Sequence, residues 1–196
     1  MIVICKNNRK ISIRPLLEKN LDALAIYFAG LSSETLKRYG PHAFDRKSLV
    51  EIYSGNTGLL GYIAIEQDNQ SIIAYSVIKP GVIHHDQLRL ESYGLKINNQ
   101  TDCTYAPSVA DAWQSCGVGN LMFQFILDDL KSKGFRRIIL WGGVQADNLK
   151  AVNFYRKNGF REVGRLEHNG NNIDMICDIN YFDNANSGTD YQLRLS

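Results

Sequence analysis

Between a strand-like run that ends at Val109 and an apolar-faced helix that begins near Leu121, the chain reads Gln114-Ser-Cys-Gly-Val-Gly119. A glycine-bearing loop set directly before a helix leaves the first backbone N–H groups without intrahelical partners. It also turns the positive end of the helix dipole toward whatever lies there, and a phosphate or pyrophosphate suits that environment. A side chain at residue 117 or 119 would hold a phosphate away from the backbone donors, and such nests need φ values that most residues avoid. The two familiar phosphate loops do not fit. A dinucleotide fingerprint wants a third glycine where Met122 stands, and a nucleotide-triphosphate loop wants Gly-Lys-Ser/Thr where the chain has Gly119-Asn-Leu. On spacing alone, a tight strand-to-helix turn explains the two glycines equally well.

The rest of the chain alternates strand and helix patterns around this loop. Residues 10–14 alternate apolar and polar and stop at Pro15; Leu21, Leu24, Ala25 and Phe28 then recur at helical spacing, and Gly30 ends that helix. Ser32 or Ser33 can cap a second short helix running to Arg38, followed by a loop over 39–44. Residues 59–66 and 72–79 are β-rich runs joined by the polar turn 67–70. Periodicity fails over 81–100, which reads as a loop inserted into the domain. A strand over 101–109 contains Pro107, whose missing N–H predicts a bulge or a splayed end. Leu121, Met122, Phe125, Ile126 and Leu130 mark the helix after the glycine loop, closed by Lys131, Lys133 and Gly134. A strand over 136–141, a helix capped by Asp147 and ended by Gly159, and strands over 160–167 and 173–179 flanking Asn169-Gly170 complete the pattern.

This order predicts an α/β (α+β) fold: a mixed, mostly antiparallel sheet of about six to seven strands, splayed near its middle, with helices on both faces. A chain of 196 residues that is 44% hydrophobic fits one domain over 1–180 with a polar tail over 181–196. The 22 basic and 20 acidic side chains leave a net charge of +2 without a basic stripe, which argues against nucleic acid as partner. No run approaches the roughly 18 apolar residues of a membrane span. Residues 1–5 are too short for a signal peptide, and the scattered Cys5, Cys103, Cys116 and Cys177 read as reduced thiols, so a cytoplasmic location is expected. No metal is expected: His84, His85 and Asp86 are adjacent, and consecutive side chains on an extended loop point apart.

Several motifs in the right order carry a resemblance. Ile11-Ser-Ile-Arg-Pro15, the Gln-x-x-Gly-x-Gly loop, the helix Asn148-Leu-Lys-Ala-Val-Asn-Phe-Tyr155 and Gly159-Phe160 entering a strand resemble the GCN5-related N-acetyltransferase superfamily over nearly the whole chain. The resemblance implies acetyl-CoA as co-substrate and a primary amine, on a small molecule or a peptide, as acceptor, with a homodimer left open. It implies that Gln114, Ser115, Cys116, Gly117, Val118, Gly119 and Asn120 offer backbone donors to the coenzyme pyrophosphate. Val109 would pair its backbone with the pantetheine arm, and Asn148 would contact that arm. Phe154 would form the core beside the coenzyme, and Tyr155 would act as general acid toward the departing thiolate. A phenol, with an unperturbed pKa near ~10, is protonated for that task.

The base that frees the amine is less legible. Asp102 and Glu66 are the acids nearest the strands before the loop, and each is equally explained by a turn or a strand end. By position, Tyr39, His42 and residues 81–93 line the acceptor side. A covalent route through Cys116 is disfavoured, because a thiolate there would compete for the phosphate donors. The alternative to an N-acetyltransferase is a non-catalytic acyl-CoA-binding sensor or interaction module that keeps the loop without turnover.

Overall fold

The computed structural model describes residues 1–6, 8–55 and 57–179; the polar tail expected over 181–196 lies outside them. Among the described residues, nine strands form one sheet: β1 (Ile2–Ile4), β2 (Lys10–Pro15), β3 (Leu60–Glu66), β4 (Ile72–Pro80), β5 (Asp102–Val109), β6 (Arg137–Leu140), β7 (Val144–Gln145), β8 (Arg161–Glu167) and β9 (Asn171–Asp178). Their order is β1-β2-β3-β4-β5-β6-β9-β7, with β8 on the other edge of β9. Every pairing is antiparallel except β5 with β6. The count exceeds the six to seven expected because β1 and β7 span three and two residues, too few for an alternating pattern to register.

Six α-helices among the described residues accompany the sheet: α1 (Leu21–Ala29), α2 (Ser33–Lys37), α3 (Arg46–Ser54), α4 (His84–Ser92), α5 (Val118–Ser132) and α6 (Leu149–Lys157). Two correct the expectations from sequence. Residues 81–100 are no plain loop, since α4 occupies half of them; periodicity hid it because Leu88 is exposed while the polar Asp86 is buried. Residues 46–54, which periodicity left unassigned, form α3, capped by Asp45 accepting from the Ser48 N–H at 3.0 Å. In α6 the cap is Asn148, whose Oδ1 accepts from the Ala151 N–H at 3.2 Å, and not Asp147.

Alternation along the strands divides the core. Ile138 and Leu140 of β6 join the cluster of Met122, Phe123, Ile126 and Leu130 on α5. Ile139 between them packs with Leu90 of α4. Tyr75 and Val77 of β4 meet Leu24 and Phe28 of α1. The helix α5 ends at Gly134, whose φ of 84° lets the Phe135 N–H return to Leu130 O at 3.1 Å.

The sheet parts where sequence placed the splay. β5 pairs β6 only over Asp102–Tyr105, while its other edge stays on β4 through Val109. The β4 pairing passes Pro107 without a register shift, so the proline makes no bulge there. Beyond Leu140 the chain turns at Gly142 and Gly143, both with positive φ, and rejoins β9 as β7. A Cβ on Gly143 would stand 2.8 Å from Ile173 O, so only glycine allows that return. Among the described residues no helix is long and apolar enough to cross a membrane.

Candidate functional site

The parting of β5 from β6 opens a cleft of about 1310 Å³, larger than the ~300–1,000 Å³ typical of single-ligand pockets. One wall is the strand edge from Tyr105 to Val109, another the turn 140–145. The glycine loop closes one end, α6 supplies Asn148, Phe154 and Tyr155, and Ile83, His85, Asp86 and Arg89 come from the start of α4.

The loop has the backbone that its sequence demands. Ser115 and Gly117 have φ of 63° and 87°, and α5 begins at the next residue. A serine held in the left-handed region is uncommon and marks a locally imposed geometry. Gly119 lies against α6, where an added Cβ would stand 3.3 Å from Phe154 Cε2. Asn120 Oδ1 accepts from Asn158 Nδ2 at 2.9 Å, tying the first turn of α5 to the end of α6. Of the residues named from sequence, Val109, Gln114, Ser115, Gly117, Gly119, Asn120, Asn148, Phe154 and Tyr155 all line the cleft. Cys116 and Val118 do not. Val118 is buried in the core under α5, and Cys116 is partly buried against it.

Tyr155 is more buried than Phe154, the reverse of the core-and-site division expected from sequence. Its ring centroid lies 5.2 Å from those of both Phe154 and Phe160. Burial pushes the phenol well above its ordinary pKa. Tyr105, which the sequence reading passed over, reaches the same cleft from β5, and burial raises its phenol too.

The acids nominated as bases stand elsewhere. Asp102 begins β5 at the end away from the cleft, accepting the Asn98 N–H at 2.9 Å and facing Arg137 Nη1 at 3.6 Å. Glu66 is buried in an ion pair with Arg9. Both hold structure, and neither lines the cleft. Asp86 does line it, but is paired with Arg89 at 2.7 Å, which also grips Asp174 at 2.9 Å. Tyr39 lines the cleft as expected, whereas His42 turns into a cluster with Phe28, Phe44 and Tyr75. Among the described residues no group of three or more His, Cys, Asp or Glu side chains could share a metal ion.

A mixed sheet parted between two parallel strands, with a glycine loop and a tyrosine-bearing helix around the gap, defines an acetyltransferase fold. The chain belongs to the acetyltransferase (GNAT) family, whose model matches residues 21–160. The GNAT domain of S. lividans PAT superposes with a TM-score of 0.70 at 17% identity, covering 91% of this chain and 96% of that one. AAC(6')-Ib, in complex with paromomycin and acetyl-CoA, superposes with a TM-score of 0.67 at 18% identity, covering 91% and 99%. No curated protein sequence matches the chain.

Proposed function

We propose that the protein is an acetyl-CoA-dependent N-acetyltransferase acting on a primary amine by direct transfer, with Tyr155 as general acid. One observation carries the reading: the donor loop at the start of α5 and the phenol of Tyr155 border one cleft, beside a strand edge that no other strand among the described residues covers. The related AAC(6')-Ib structures, with acetyl-CoA or with coenzyme A, support the choice of donor.

Each part has a physical task. The loop N–H groups from Gln114 to Asn120 hold the coenzyme pyrophosphate at the helix terminus. The unpaired edge of β5 near Val109 takes the amide-bearing pantetheine arm as it would a strand. Asn148 spends Oδ1 on its cap and offers Nδ2 to the same arm. Two ligands must meet for transfer, and the cleft has the volume for both. The amine nitrogen attacks the thioester carbonyl, forming the C–N bond; the C–S bond then breaks, the thiolate takes the Tyr155 proton, the amine loses its own to solvent, and the phenolate regains a proton from solvent before the next turnover. Holding both reactants supplies much of the rate. No cysteine intermediate is needed.

The test is calorimetric titration with acetyl-CoA, with NAD and ATP as controls, followed by thiol release against an amine panel. Micromolar acetyl-CoA binding with amine-dependent thiol release is expected. Tyr155→Phe should keep binding and lower kcat by about 10²-fold, whereas Gly119→Asp should lose binding through steric and like-charge conflict. Unchanged turnover in the Phe variant removes Tyr155 from its role, and binding without release from any amine would leave a sensor.

A further inference from the structure

The β1–β2 turn meets the glycine loop at a point that no assigned residue explains. The Lys6 N–H donates to Cys116 O at 3.2 Å. Arg9, on the other arm of the turn, lies over Trp113 with Cζ 3.8 Å from the ring centroid, and forms the half-exposed ion pair with the buried Glu66. Trp113 immediately precedes the loop, so the turn is fixed to it on both arms. This lays the Lys6 side chain across Gly117. A Cβ added to that glycine would stand 3.5 Å from Lys6 Cγ, 3.9 Å from Cδ and 4.0 Å from Cε. Lys6 is exposed and lines the cleft at its glycine-loop end.

We propose that Lys6 is a phosphate-binding residue of the acyl-donor site, placed there by the N-terminal hairpin and not by the loop itself. The proposal rests on the acyl-CoA reading above. The loop offers backbone dipoles but no formal positive charge, and Asp111 beside it adds a carboxylate. Lys37, Arg38, Lys150 and Lys157 also line the cleft, but Lys6 is laid across Gly117 itself; an ammonium there adds countercharge at the loop, and as a flexible point charge with three donors it needs no fixed fork geometry. The glycine at 117 then has a second purpose beyond its left-handed φ: it leaves the lane along which the lysine methylenes run.

Coenzyme A carries phosphate in two places, the pyrophosphate and the ribose 3'-phosphate, and the experiment separates them. Wild type, Lys6→Ala and Lys6→Arg are titrated with acetyl-CoA and with acetyl-dephospho-CoA, which keeps only the pyrophosphate. Lys6→Ala should weaken acetyl-CoA binding about tenfold, with Lys6→Arg restoring most of it. A loss seen with both donors places the ammonium on the pyrophosphate; a loss confined to acetyl-CoA places it on the 3'-phosphate. The wild-type Kd should also rise more steeply with ionic strength than that of Lys6→Ala. Equal affinities and equal salt slopes in wild type and Lys6→Ala overturn the proposal while leaving the donor site standing. A wild-type protein that binds neither donor overturns the donor site itself.

Discussion

Thr35 donates its hydroxyl to Asp111 Oδ1 at 2.7 Å, joining α2, which lines the cleft, to the segment that leads into the glycine loop. The same carboxylate accepts from Ser32 Oγ at 2.8 Å and from the Ser32 N–H at 3.0 Å, and these bonds hold it below the usual carboxylate range. Asp111→Ala should therefore free α2 without unfolding the sheet. The expected result is a loss of about 1 kcal/mol in stability with KM for the amine raised more than the Kd for acetyl-CoA. Steady-state kinetics beside a denaturant melt checks this.

Tyr155 should not limit activity at high pH. Burial favours the neutral phenol, so its protonated range extends upward. A general acid is active while protonated, and the kcat profile should show no tyrosine-ionisation limb up to the ordinary value near ~10. A fall in kcat with an apparent pKa near 8, abolished in Tyr155→Phe, would contradict this.

His42 should make the α1–α3 side weaken in mild acid. Its Nε2 lies 2.8 Å from Tyr75 Oη, and its ring stands edge-on to Phe28, Phe44 and Tyr75. Burial lowers its pKa, so between the folded and unfolded values the unfolded chain binds more protons and stability rises with pH. The contribution is present above the ordinary histidine value and fades as pH falls below ~6.5. The melting midpoint should drop between pH 7 and 5, and His42→Phe should flatten that dependence.

Legibility in sequence followed the range of the forces involved. Helix α5 was readable because Met122, Ile126 and Leu130 repeat on one face and Gly134 ends it, all within one segment. The loop from Gln114 to Gly119 and the Asn148 to Tyr155 helix were readable for the same reason. Helix α4 was hidden because the buried Asp86 answers to Arg89 and, through it, to Asp174 on β9. The wrong bases have the same cause: Asp102 and Glu66 are acids near the right strands, and only their partners, Arg137 and Arg9, place them in the scaffold. Lys6 was unreadable as a site residue because its relation to Gly117 exists only once β1 and β2 have folded back.

Asp174 should be among the residues least tolerant of change. It is almost fully buried and accepts from Arg89 Nε at 2.9 Å, Arg89 Nη2 at 3.2 Å and Tyr93 Oη at 3.0 Å. Tyr93 lies flat against Gly164 of β8, where any side chain would displace the ring. Removing the carboxylate takes two of the guanidinium's bonds and leaves Asp86 as its remaining carboxylate partner at 2.7 Å. Asp174→Ala should cost about 3 kcal/mol, read as a shifted urea midpoint at unchanged m-value. A cost within about 0.5 kcal/mol would mean that Arg89 finds water instead.

Among the described residues, the stretch of β5 from Ala106 to Val109 has a strand neighbour on the β4 side and none on the other. Bare strand edges are templates for pairing with another chain, and this one lies along the wall of the cleft, in a strand set between β4 and β6. That placement leaves it less open to a second copy than an outermost strand would be. Occupancy by substrate would protect the protein further, so the substrate-free population should be the one that precipitates first on heating.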